Sequence, residues 1–131
     1  MNPFLLTFLY YAVAIAVVII GLVVFEIITR KYKDWDEIKG NNAAVALSIG
    51  GKIIGICVII TFSIFHNDTV VETIIWGLFG MMLQLVAYIL FELLTRGFSV
   101  EEQLKQGNLA VGIVSFSVSV GLAFVIGASI S

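Results

Sequence analysis

Residues 40–55 read Gly40-Asn41-Asn42-Ala43-Ala44-Val45-Ala46-Leu47-Ser48-Ile49-Gly50-Gly51-Lys52-Ile53-Ile54-Gly55, and the uncharged apolar run after Lys52 continues to Phe65. The segment has the length of a membrane span, with one ammonium group roughly halfway along it. A charge at the bilayer centre costs at least about 2.5–3.5 kcal/mol on insertion scales. A sequence that keeps one there gives it a polar partner, a watery cavity or a task.

Working outward, 60% of the residues are hydrophobic and 12% charged, against about a quarter charged in soluble domains. The chain reads as an all-α integral membrane protein. Its 131 residues hold about four spans of some 20 residues with short turns and no soluble domain. A net charge of −2 and few basic residues argue against a nucleic-acid surface. Cys57 is the only cysteine and His66 the only histidine, so no internal disulfide and no metal cluster is expected, and no cofactor is implied. Cys57 is expected as a small buried side chain. No basic region precedes the first apolar run, and Ala12-Val13-Ala14 comes too early for a cleavage site, so that segment is expected to be retained.

Asn2 and Pro3 read as cap and first-turn proline of a helix running to about Thr29, with Tyr10 and Tyr11 in its outer third. A polar link from Arg30 to Lys39 follows, in which Asp34 and Glu37 have capping-box spacing and predict a short interfacial turn with Trp35 against the membrane. The second span covers about Asn41 to Phe65. After the link His66-Asn67-Asp68-Thr69, Thr69 and Glu72 open a third span that ends near Thr95. Ser99 and Glu102 repeat the box spacing in the third link, and the fourth span starts near Asn108.

The first and third links hold every Lys and Arg except Lys52, and the second holds none. Cytoplasmic loops retain basic residues, so both basic links are expected in the cytoplasm and both termini outside, with a bias too one-sided for dual topology. Phe25-Glu26-Ile27-Ile28-Thr29-Arg30 closes the first span, and Phe91-Glu92-Leu93-Leu94-Thr95-Arg96 closes the third. Gly40-Asn41-Asn42-Ala43 opens the second, and Gly107-Asn108-Leu109-Ala110 opens the fourth. The reading is one transmembrane domain of two tandem helical hairpins in the same orientation, about 1–66 and 67–131, related by an axis along the membrane normal.

On that pairing Ser48 matches Ser115 and Lys52 matches Ser119, and each set falls in a narrow helical stripe with Asn41 or Asn108. Gln84 lies at a similar distance from its span end. The expectation is a midplane polar layer of Lys52, Gln84 and Ser119, with Ser48 and Ser115 beside it.

The paired Gly-Asn openings, the acidic links before them and the tandem hairpins resemble the bacterial domain of unknown function 350 family, the YjfL-like membrane proteins, over nearly the whole chain. The resemblance implies a four-span inner-membrane protein. Neighbourhoods of some relatives, with phage-shock-type and peptide-ligase-type proteins, imply an envelope-associated role.

Glu26 and Glu92 each precede an arginine, Arg30 and Arg96, by four residues. That spacing suits a snorkelled interfacial ion pair, with an ion or proton site as the alternative. The opening asparagines read as caps or as a polar mouth. Gly51-x-x-x-Gly55, Ala46-x-x-x-Gly50 and Ser117-x-x-x-Gly121 are spacings that permit close helix approach, for packing first and oligomerisation second. His66 and Asp68 are expected as solvated turn residues. For Lys52 the plain reading is a buried lysine bonded to Gln84, serines or backbone carbonyls.

No nucleophile triad and no phosphate-cradling loop is present, since Gly50-Gly51-Lys52 lacks the rest of a P-loop, so an enzyme is not expected. The leading expectation is a homo-oligomeric structural or interaction subunit working with envelope proteins. The alternative is a channel or carrier for a small ion or solute, with Lys52, Gln84 and the serines on its path.

Overall fold

The computed structural model describes residues 2–28, 34–94 and 99–130, the side chains of Asp34 and Leu94 excepted. These form α1 (Pro3–Ile28), α2 (Asp34–Lys39), α3 (Ala43–His66), α4 (Val70–Leu94), α5 (Val100–Lys105) and α6 (Leu109–Ile130). Four of them, α1, α3, α4 and α6, are long and apolar enough to cross a membrane. Thr29, Arg30, Thr95 and Arg96 lie outside the described residues, and with them the Glu26–Arg30 and Glu92–Arg96 pairs that the spacing suggests.

The helix starts obey local capping chemistry. Asn2 Oδ1 accepts from the Phe4 amide at 2.8 Å ahead of α1, Thr69 Oγ1 from Glu72 at 3.1 Å ahead of α4, and Ser99 Oγ from Glu102 at 3.3 Å ahead of α5. Each satisfies one of the amides that a helix N-terminus leaves open. At α3 the expectation shifts by one residue. Asn42 is the cap, its Oδ1 accepting from Val45 at 3.2 Å, while Asn41 holds a left-handed turn at φ 67°. At α6 Asn108 caps through Val111 at 3.3 Å, and the left-handed position is Gly107 at φ 80°. The positive-φ residue and the cap are thus Asn41 and Asn42 before α3 and Gly107 and Asn108 before α6, whereas the sequence paired Gly40-Asn41 with Gly107-Asn108. The physical reason is the turn: before α3 and before α6 the chain passes through one residue at positive φ, a position that glycine and asparagine tolerate best.

α3 is the central element. Its most apolar window is 56% buried, against 17–22% for the other three, because it packs on α1, α4 and α6 at once. Val17 and Phe25 of α1 meet Ile56 and Ile60 of α3 and Met81 and Tyr88 of α4 in one cluster. Ile59 packs with Ala123, Ile126 and Ile130 in another. The α2/α5 end is closed by Ala44, Val45, Ile49, Val100 and Leu104.

α3 and α6 run in the same direction and approach closely. A Cβ on Gly112 would stand 2.8 Å from Ala44 Cα, and one on Gly51 2.8 Å from Phe116 Cα. The Gly51-x-x-x-Gly55 spacing thus seats α6, as small residues do in membrane helix pairs. The other two spacings face away, since a Cβ on Gly50 or Gly121 would meet nothing within 4 Å. Cys57 also faces outward rather than into the core. It stands two turns beyond Gly50 on the same face of α3.

Candidate functional site

Lys52 lies on the inner face of the central helix and is 1% exposed. Its ammonium nitrogen sits 4.5 Å from the centroid of the Tyr88 ring and 5.0 Å from that of Phe25. The two rings meet edge to face at 5.6 Å and 87°. A cation within about 6 Å of a ring centroid is drawn to its quadrupole, by about 2 kcal/mol or more where water is excluded. Two such contacts are comparable with the roughly 2.5–3.5 kcal/mol that a central lysine costs on insertion scales. The aromatic box on α1 and α4 therefore offsets part of the cost of keeping a charge in this segment.

Gln84 is 2% exposed on α4. Its Nε2 donates to the Ser119 carbonyl at 2.8 Å, tying α4 to α6. That line passes α3 where Gly55 has no side chain, for a Cβ there would lie 2.7 Å from Gln84 Nε2. Ser115 Oγ donates to Ser48 Oγ at 3.3 Å, joining α6 to α3 with both serines buried. Lys52, Gln84 and Ser119 each stand about 14–15 Å along their helices from the α2/α5 end, at roughly 1.5 Å per residue. Beside Gln84 and Ser119 is a cavity of about 10 Å³, lined also by Tyr88 and Ser115 with apolar neighbours.

A second polar group lies at the α2/α5 end. Asn42 Nδ2 is shared among Glu37 Oε2 at 3.2 Å, the Leu104 carbonyl at 2.9 Å and the Lys105 carbonyl at 3.1 Å, so one side chain caps α3 and holds α5. Ahead of α6, Asn108 Nδ2 donates to Gln103 Oε1 at 2.9 Å. Glu92 Oε1 accepts from Ser99 Oγ at 2.9 Å and from the Val100 amide at 3.1 Å, fastening the first turn of α5 to the end of α4. Glu92 and Glu101 border a recess of about 400 Å³ with Tyr88. Glu26 borders one of about 200 Å³ with Leu22, Trp35 and Ile49. His66 ends α3 with its ring stacked on Phe62 at 6.1 Å, and Asp68 is exposed in the following turn.

The sequence singles out Lys52, Gln84 and the serines but not the two rings. The chain has ten phenylalanines and four tyrosines, and no periodicity singles out Phe25 and Tyr88, because their meeting depends on how α1 and α4 rotate against α3. Among the described residues no group of His, Cys, Asp or Glu is placed to hold a metal ion.

A family model described as Domain of Unknown Function (DUF350) matches residues 1–130. The UPF0719 transmembrane protein YshE of Bacillus subtilis (strain 168) is 42% identical over 121 residues, which cover 92% of this chain and 90% of that protein. The UPF0719 inner membrane protein YjfL of Escherichia coli (strain K12) is 27% identical over 104 residues, 79% of this chain and 76% of that protein. No solved structure matches.

Proposed function

The chain belongs to the DUF350 family, and from that premise we propose that this multi-pass membrane protein is an assembly subunit, which binds further copies of itself and envelope proteins through its lipid-facing surface. The observation that carries the reading is the outward face of α3. Ala46 and Cys57 are exposed there, and Gly50 between them has open space where a Cβ would stand. Another helix backbone can approach such a face, by the same device that seats α6 on Gly51 and Gly55. A solute path within one chain has little support, since the cavity beside Gln84 measures about 10 Å³, room for about one water. No enzymatic activity is proposed.

Cys57, the only cysteine, makes the reading testable without engineering. Mild oxidation of native membranes should give a disulfide-linked dimer, and Gly50→Leu should diminish it. A chain that stays monomeric under oxidation, and runs as a single partnerless copy in native mass spectrometry, sinks the proposal. Lys52-dependent flux of a common ion in reconstituted vesicles would favour a carrier formed between subunits.

The same reading takes the chain as two tandem hairpins of one orientation, with the α2/α5 end in the cytoplasm of a bacterium and both termini outside. Its support is the matching of the caps, Asn42 with Asn108 and Asn41 with Gly107, and the basic residues Lys39 and Lys105 at that end. Thiol labelling of Thr69→Cys and Gln106→Cys in a Cys57→Ser background checks it: only the first should react with an impermeant reagent from outside.

A further inference from the structure

Among the described residues, the midspan polar interior holds an acceptor that its protein neighbours leave open. Gln84 is 2% exposed, and while its Nε2 is bonded to the Ser119 carbonyl, its Oε1 has no hydrogen-bond partner among the described residues. Buried amide oxygens are satisfied in the great majority of native proteins, by protein or by ordered water. Gln84 also lines the cavity of about 10 Å³ whose polar walls include Ser115 and Ser119. A cavity of about 10–15 Å³ on this measure accommodates one water, which needs two to four polar partners.

We propose that this cavity is a binding site for a single water molecule, which donates to Gln84 Oε1 and exchanges its remaining hydrogen bonds with the polar atoms of Ser115 and Ser119. Gln84 then joins α4 to α6 twice, directly through Nε2 and through the water by Oε1. The ligand is a neutral donor and not an alkali cation. Phe25 and Tyr88, whose rings hold the Lys52 ammonium, also line the cavity, and a second positive charge one ring away would be repelled in a low-dielectric interior.

The test is water-to-amide magnetisation transfer in solid-state NMR of the full chain in lipid nanodiscs, with 15N-glutamine labelling. The glutamines are Gln84, Gln103 and Gln106, so Gln84→Met assigns its side-chain signal by loss. A slowly exchanging water contact at the Gln84 amide is expected, attenuated in Ser115→Val, where a methyl group replaces the lining hydroxyl while Gln84 stays folded. A resolved Gln84 amide with no water contact overturns the proposal. A melting temperature that rises in sodium or potassium over choline and loses that rise in Gln84→Met also overturns it, because the site would then belong to a cation.

Discussion

Gly50 and Gly51 are neighbours in sequence and opposites in environment, so the same substitution at each should have opposite effects. A Cβ on Gly51 would lie 2.8 Å from Phe116 Cα, 3.1 Å from its carbonyl oxygen and 3.3 Å from Ser119 Cβ. Carbon atoms pack at about 3.5–4.0 Å, so Gly51→Ala must push α6 away by roughly 0.7–1.2 Å. The obstacle is backbone and cannot rotate aside, which places the cost in the upper half of the usual 1–3 kcal/mol for overpacking, or about 2–3 kcal/mol. Replacing glycine by alanine returns at most about 1 kcal/mol of helix propensity. The net expectation is a loss of about 1–2 kcal/mol. Gly50→Ala meets nothing within 4 Å, so only the propensity gain of up to about 1 kcal/mol applies. The assay is reversible unfolding in mixed micelles titrated with SDS, followed by the fluorescence of Trp35 and Trp76 at a protein concentration low enough to keep the chain monomeric. Equal stability of Gly51→Ala and wild type, or equal losses at both positions, would refute the account of how α6 is seated.

Asn42→Ala removes the α3 cap and the links to Leu104 and Lys105, so the unfolding midpoint should fall by the equivalent of about 1–2 kcal/mol. Asn41→Gly, at φ 67°, should be neutral or slightly stabilising in the same titration. Lys52→Met keeps the side-chain length and empties the aromatic box of charge. Stability should stay within about 1 kcal/mol of wild type or rise, because an apolar replacement of similar volume often matches a buried ionic arrangement. Lys52→Ala, which leaves a void against the rings of Phe25 and Tyr88, should lose about 2–5 kcal/mol. If Lys52→Met costs as much as Lys52→Ala, the ammonium itself contributes most of the stability and the packing account of the box fails.

What the sequence determined by itself is whatever depends on composition and short-range spacing. Hydrophobic length marked four spans, because each must satisfy its backbone internally within lipid. Ser and Thr caps at Ser99 and Thr69 were legible because a cap bonds amides only two or three residues away. Ser48 and Ser115 are both buried, on helix faces that the roughly 3.6-residue period had grouped with Asn41 and Asn108. Tertiary structure decided the rest. It moved the α3 cap to Asn42, whose amide reaches across to α5. It sorted three equivalent small-residue spacings into one that seats α6 and two that face outward, and it turned Cys57 outward with them. Periodicity fixes a residue's angle on its own helix but not the rotation of that helix against its neighbours, and in lipid both faces of a span are apolar. For that reason Lys52 was conspicuous in the sequence, while the rings of Phe25 and Tyr88 that hold it emerged only when α1 and α4 were docked on α3.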